Sequence, residues 1–323
     1  MKYYHTKNFR FHFITLGAAI LLTMYSCSGD SGYKPVDFSE RVLVKRLAGQ
    51  APDDSQLRVA VAAVISPKET FVYYQQLLDY IGHKLGREVQ LIQRKTYSEI
   101  NELFPKGQID LAFICSGPYA VSKEVYGFEA LATPIVRGIP FYHSYLIVNN
   151  NSPFQKIEDL RNHVFAFTDP KSNTGALVPT YWLAEMGERP DSYFSSVNYT
   201  YSHDNSIMAV ARNLVDGATV DGHIWEYYNV RKPIYTSKTR VIKKSQPFGS
   251  PPLVSSVYLS ATLKEKIRKT LFSMHQDPGG RRILDGLMID RFVAPREIWY
   301  ETVRNIEQKV QATGNVTNGT PNS

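Results

Sequence analysis

Phe167-Thr168-Asp169-Pro170-Lys171-Ser172-Asn173-Thr174-Gly175-Ala176-Leu177-Val178-Pro179 is the stretch on which the reading of this chain turns. The apolar run Val164 to Phe167 has the length of a buried strand, and Asp169-Pro170 ends it with turn chemistry. Ser172, Asn173 and Thr174 then stand where a helix begins, and that helix is expected to run to about Met186, with Gly187 as its stop. Strand, polar turn and helix in direct succession form the repeating unit of an α/β sheet. The first turn of such a helix has backbone N–H groups without intrahelical partners at the positive end of the helix dipole. A tetrahedral oxyanion docks there without an arginine. Ser172 or Asn173 also serves as a plain helix cap, and these residues alone leave both roles open.

The same unit recurs outward from that segment. Leu57 to Ile65 is an apolar run of buried-strand type, and Ser66-Pro67-Lys68-Glu69 combines a cap, a proline at the first helical position and a capping-box glutamate. Phe71, Tyr74, Leu77, Leu78, Ile81 and Leu85 then follow at helical spacing. A strand (Val89 to Gln93), a helix (Ser98 to Phe104), a strand (Asp110 to Cys115) and a helix after Ser116-Gly117-Pro118 complete a βαβαβα series, which predicts a parallel sheet with right-handed crossovers. Tyr142 to Asn150 alternates as a strand leaving this lobe. The second lobe holds the opening stretch, a strand at Val197 to Thr200, a helix from Asn205 to Val215 and a strand from Ala218 to Asp221. The chain returns through Arg240 to Ile242 and Pro251 to Leu259 to helices at Thr262 to His275, Gly279 to Gly286 and Pro295 to Gln311. The expected division is residues 57–145 plus 245–311 for lobe 1, 146–244 for lobe 2, and 312–323 as a low-complexity tail.

Ahead of the body, Lys2, Lys7 and Arg10 precede an apolar run from Phe11 to Met24, too short to cross a bilayer comfortably, and Ser26 precedes Cys27. Residues 1–26 are therefore expected to be a signal peptide, Cys27 a lipidated N-terminus and 27–56 a tether, with the protein exported and held at the cell envelope. Cys115 is then the one remaining cysteine; it is expected to be a small buried residue, and no intrachain disulfide forms. The net charge of +7 is not accompanied by a basic helix, an RNA-binding aromatic motif or zinc-ligand spacing, so it favours steering of anions over nucleic-acid binding. His203, Asp204 and Asp221 are candidates for acid–base work, but no nucleophile elbow or metal-ligand cluster supports them; an enzyme, a metal and a cofactor are not expected.

Asp169 to Pro179 fits D-P-x-S-x-[ST]-G-x-x-V-P. With the loop at Thr96-Tyr97, the P-x-Y-x-S-x-L-I-V strand from Pro140 and the [GS]-H-x-x-[AS] segment from Ser202, the chain resembles the phosphate/phosphite/phosphonate-binding proteins of bacterial ABC importers, over roughly Arg58 to Gly286. The resemblance implies a two-lobed type II periplasmic-binding-protein fold, each lobe a parallel-rich sheet flanked by helices, with two hinge crossovers and a ligand cleft between the lobes. In such a fold the loops after the strands face the crevice, which brings forward Ser66, Tyr97 and Ser116 from lobe 1. The family implies that Tyr97 and Tyr142 line the pocket, that Ser172, Asn173 and Thr174 cradle the oxyanion and that His203 meets one of its oxygens. With 21 tyrosines present, residue type alone would have singled out neither Tyr97 nor Tyr142. Aminophosphonate binders of the family hold the ammonium with two acidic residues; the equivalent positions here are His223 and Pro251 or Pro252, with Asp221 a possible substitute. The expected ligand is phosphate, phosphite or a simple phosphonate without an amine. The implied partner is an ABC permease; the receptor half of a signalling system and a ferric-iron binder are alternatives on the same fold.

Overall fold

The computed structural model describes residues 56–62 and 67–314 and, for residues 67–73, the backbone alone. The expected signal peptide, Cys27, the tether to residue 55, Ser66 and the tail from residue 315 lie outside the described residues.

Two mixed sheets carry the body. The first has the order β13-β4-β12-β3-β1-β2, from Gln56–Val61 (β1), Glu88–Ile92 (β2), Leu111–Phe113 (β3), Phe128–Ile135 (β4), Leu253–Ser256 (β12) and Arg291–Val293 (β13). The second has the order β10-β6-β9-β7-β8, from Ser144–Asn149 (β6), Val164–Phe167 (β7), Ser196–Tyr199 (β8), Gly217–Asp221 (β9) and Thr239–Lys244 (β10). The triplets β2-β1-β3 and β8-β7-β9 are parallel, as the alternation of strands and helices requires. Beside each triplet runs an antiparallel strand that arrives from the other sheet, β12 against β3 and β6 against β9. Between the sheets the chain passes twice, through Phe141–Tyr142 (β5) and Phe248–Gly249 (β11), which pair antiparallel as a short two-stranded ribbon. This is the type II periplasmic-binding architecture.

Helices Pro67–Leu85, Ala261–Ser273 and Pro278–Gly286 cover the first sheet; Leu77, Leu78, Ile81, Ile267 and Leu271 pack with Leu57 and Val59 of β1 in one buried cluster. A second cluster is continuous through the whole body: Ile100, Phe104 and Ile114, then Tyr142 and Phe248 of the ribbon, then Leu146, Phe165, Phe167 and Leu183, and finally Val303, Ile306 and Val310 of helix Glu301–Ala312.

Three expectations need correction. The helix expected from Ser172 begins as one wide π turn, Asn173–Leu177, and becomes α-helical only at Val178–Glu185. The reason is close packing: a Cβ on Gly175 would lie 2.2 Å from Thr168 Oγ1, so the turn is pressed against the end of its own strand. Gly187, at φ +72°, stops the helix as expected. Helix Gly222–Arg231 is present where no helix was expected, because GHIWEYYNVR lacks a clear apolar stripe; Asp221 caps it. The single helix expected from Pro295 divides into a 3₁₀ turn, Glu297–Tyr300, and the helix that follows.

Candidate functional site

The described candidates, Tyr142 excepted, cluster at the first residues of helices. Tyr97 opens the short helix Tyr97–Asn101, Ser116 opens Ser116–Tyr126, Ser172 caps the π turn, His203 opens His203–Ala211 and Asp221 caps Gly222–Arg231. Each follows the end of a parallel strand, where unpaired N–H groups and the positive ends of helix dipoles accumulate.

Hydrogen bonds tie these loops together across the two sheets. Tyr142 is the hinge of the network: its hydroxyl lies 2.5 Å from Ser116 Oγ and accepts from Asn173 Nδ2 at 3.1 Å. The backbone N–H of Asn173 donates to Cys115 Sγ at 3.4 Å, and that of Tyr97 donates to the Asp169 carboxylate at 3.0 Å. Ser144 Oγ donates to the Thr174 carbonyl at 2.7 Å. Deeper in the second lobe, His203 Nδ1 accepts from the Asp221 backbone N–H at 3.0 Å and lies 3.1 Å from Thr168 Oγ1. The structure therefore joins Ser116, Tyr142 and Asn173 in one network, ties Tyr97 to it through Asp169 and Thr174 through its own turn, 169–174, and joins His203 and Asp221 to each other beside it. No arginine or lysine side chain takes part in these contacts.

Ser172 carries the role that the motif left open: its Oγ accepts from Gly175 N at 3.0 Å, so it is a cap in this structure. Thr174 is different. Its Oγ1, Tyr97 Oη, Asn173 Oδ1 and Thr219 Oγ1 are all buried without a hydrogen-bond partner. A buried polar atom left unpaired costs about 1–3 kcal/mol, so a ligand able to complete these bonds is favoured by that amount per group. Thr168 and Thr219 belong to no motif that marks them; the fold sets Thr168 Oγ1 3.1 Å from His203 Nδ1 and 3.5 Å from the Thr219 carbonyl.

Burial decides the charges. His203 is pushed down to about 3 by desolvation and is neutral near pH 7. Because a backbone N–H can only donate, Nδ1 is the unprotonated nitrogen and the ring proton sits on Nε2, where it is a donor. Burial raises Asp221 to about 7 against the two backbone N–H groups, of His223 and Ile224, that its Oδ1 accepts. The hydroxyls of Tyr97 and Tyr142 are held well above the usual phenol range, again by burial, and remain donors. Cys115 is buried and its thiol is raised to about 11, which makes it a poor nucleophile.

Two cavities flank the network. One, of about 120 Å³, is bounded by Ile114 and Phe113 from the first lobe and by Asp221, His223 and Ile224 from the second. The other, of about 450 Å³, is lined by Ser172 and Asn173 together with Asn101, Gly117 and residues of the C-terminal helix, but by none of Tyr142, Thr174, His203 and Asp221. The smaller one thus reaches the site at Asp221 and the larger one at Ser172 and Asn173. Among the described residues no group of three or more His, Cys, Asp or Glu is placed to hold a metal ion.

A family model described as ABC transporter, phosphonate, periplasmic substrate-binding protein matches residues 59–300. The chain is 28% identical over 260 residues to the phosphonates-binding periplasmic protein of Escherichia coli, covering 78% of this chain and 76% of that one. It is 26% identical over 215 residues to a phosphate-import protein of Mycolicibacterium smegmatis, covering 62% and 65% of the two chains. The fold is similar to a binding component of a Pseudomonas aeruginosa ABC phosphonate transporter, with a TM-score of 0.77 and 24% identity over 83% of this chain and 91% of that one. It is also similar to a Prochlorococcus marinus protein solved with methylphosphonate, with a TM-score of 0.71 and 18% identity over 80% and 98%.

Proposed function

Since this chain belongs to the family of periplasmic substrate-binding proteins of ABC phosphonate transporters, we propose that it captures a phosphorus oxyanion without an amine and delivers it to its importer by closing about the β5–β11 ribbon. The lobes that close are proposed to be residues 57–145 plus 245–311 and residues 146–244. One observation carries this reading: hydroxyls of Tyr97 and Thr174 lie buried and unpartnered on loops that end in helix starts, with no cationic side chain in the network. Neutral donors of this kind bind an anion without the desolvation cost of a buried arginine.

In the closed complex Tyr97, Thr174 and His203 Nε2 donate to the oxyanion, Ser116, Tyr142 and Asn173 hold its cradle across the lobes, Ser172 fixes the turn that carries Asn173 and Thr174, and Ser66 is proposed as a further contact. Asp221, uncharged or charged, accepts from a P–OH group of the ligand. By the family resemblance His223, which burial lowers to about 4, and Pro251 or Pro252 are the nearest equivalents of the acids that aminophosphonate binders carry, which argues against an ammonium on the ligand. The chain acts without turnover, and Cys27 anchors it by lipid to the cell envelope; a Cys27→Ser variant released into the soluble fraction supports the anchor, whereas unchanged membrane retention refutes it.

Calorimetric titration of the full chain with phosphate, phosphite, methylphosphonate, 2-aminoethylphosphonate and sulfate tests the reading. Micromolar binding of one phosphorus oxyanion, about −8 kcal/mol, is the expected result. Binding of none of them, or of sulfate in preference to all, refutes it.

A further inference from the structure

The 120 Å³ cavity next to Asp221 has a wall of hydrocarbon and rings: Tyr74, Phe113, Ile224, Leu287, Ile289 and Phe292. The tilted rings of Tyr74 and Phe113 lie 5.3 Å apart and that of Phe292 6.4 Å from Phe113, so three neighbouring rings form one side. It adjoins the oxyanion network at two points. Asp221 borders it directly, and Ile114 immediately precedes the Cys115-Ser116 turn that meets Asn173 and Tyr142.

Both of its carboxylates already accept hydrogen bonds. The Glu226 carboxylate is bound by Arg137 at 2.5 Å and by the Tyr145 hydroxyl at 2.5 Å, and Asp221 Oδ1 serves the helix start. No lysine or arginine is among the lining residues. The volume is on the scale of the roughly 150 Å³ apolar cavity that admits a benzene ring. An ammonium entering here would lose its water and meet a single carboxylate, Asp221, that is not already matched by a cation. A hydrocarbon group entering here would leave water for a surface that suits it.

We propose that this cavity receives the organic arm of the ligand, so that the protein selects phosphonates bearing an alkyl or aryl substituent over phosphate, phosphite and aminophosphonates. The proposal rests on the oxyanion reading above. The arm leaves the phosphorus on the side of Asp221 and runs between Phe113 and Ile224 toward Phe292, while the oxygens stay on the helix starts. Specificity then comes from apolar volume and not from a charged anchor.

Titration of the full chain with methyl-, ethyl-, propyl- and phenylphosphonate, alongside phosphate and 2-aminoethylphosphonate, separates the two ideas. Affinity is expected to rise about fourfold with each methylene, the equivalent of ~0.8 kcal/mol, with 2-aminoethylphosphonate weaker than ethylphosphonate. Methylphosphonate and phosphate binding with no gain along the series overturns the apolar arm and leaves the oxyanion reading standing. Preference for 2-aminoethylphosphonate also overturns it, by making Asp221 an ammonium anchor. Absence of binding by every member overturns both. Ile224→Phe fills the cavity from a half-buried helix position. It is expected to bring the propyl-to-methyl affinity ratio back toward one, and a ratio that keeps its full value in this variant overturns the proposal.

Discussion

Ser172 and Thr174 stand two positions apart and carry opposite expectations. Ser172 Oγ already serves Gly175 N, so Ser172→Ala should lower the stability of the empty protein by about 1 kcal/mol, read as a fall in melting temperature. The Thr174 hydroxyl is buried and unpartnered, so Thr174→Val keeps the shape, removes an unsatisfied group and should leave the melting temperature level or slightly higher. Oxyanion affinity should nevertheless fall by about 1–3 kcal/mol in calorimetry. A Thr174→Val variant with full affinity would show that this hydroxyl never meets the ligand. The buried titratable groups give a pH dependence with two opposing signs. Burial depresses His203 and His223 below their ordinary value of 6.5, to about 3 and about 4, so their contribution is complete above pH 6.5 and is lost as pH falls through those values. Asp221 is raised from 3.8 to about 7, so its contribution is present below pH 3.8 and is lost as pH rises toward 7. Asp221→Asn keeps an oxygen for the helix cap and should raise the melting temperature at pH 8 but not at pH 4. Equal gains at both pH values would mean that the carboxyl is not held protonated by the fold.

At the scale of elements, the wide turn Asn173–Leu177 is the most exposed to a small change. A Cβ on Gly175 would meet Thr168 Oγ1 at 2.2 Å and Thr168 Cβ at 2.5 Å, so Gly175→Ala must displace the turn or its strand. A loss of about 1–3 kcal/mol in urea unfolding is expected, together with weakened ligand binding; wild-type stability would show that the turn relaxes freely. Which elements were legible follows from how their order is encoded. Val164 to Phe167, the helix closed by Gly187 and the capped helix after Ser66 carry their signals locally, in apolar runs, caps and stop residues. Helix Gly222–Arg231 does not, because its Trp225, Tyr227 and Tyr228 mix with Asn, Glu and His on a largely half-exposed surface. Strands β4 and β13 were equally silent: FEALATPI and RFV acquire their strand character from pairing with each other and with β12, not from any period of their own.

Across the whole molecule, the C-terminal helix Glu301–Ala312 packs on both Ser116–Tyr126 and Val178–Glu185, one from each lobe, through Val303, Ile306 and Val310. Ile306→Ala should therefore cost about 2–5 kcal/mol and destabilise both lobes in a single transition. At the start of the helix Ser116–Tyr126, Gly117 marks the seam between the lobes: a Cβ there would come within 2.9 Å of the Lys171 carbonyl and 3.2 Å of Asn173 N. Gly117→Val should hold the lobes apart, weaken ligand binding and increase the radius of gyration in small-angle scattering, with little change in melting temperature; an unchanged radius and affinity would place the seam elsewhere. The contrast between what was legible and what was not has the same physical basis. The chain's order of strands, capped helices and polar turns is enough to specify two α/β lobes and the loops that face a cleft, because those signals act within a few residues. Tertiary structure alone decided that Ser172 caps while Thr174 is left unpaired, that burial neutralises His203, and that Tyr74, Phe113 and Phe292 share one apolar wall. Hydrogen-bond satisfaction, desolvation and packing are properties of neighbours brought together from distant parts of the chain, and no local pattern records them.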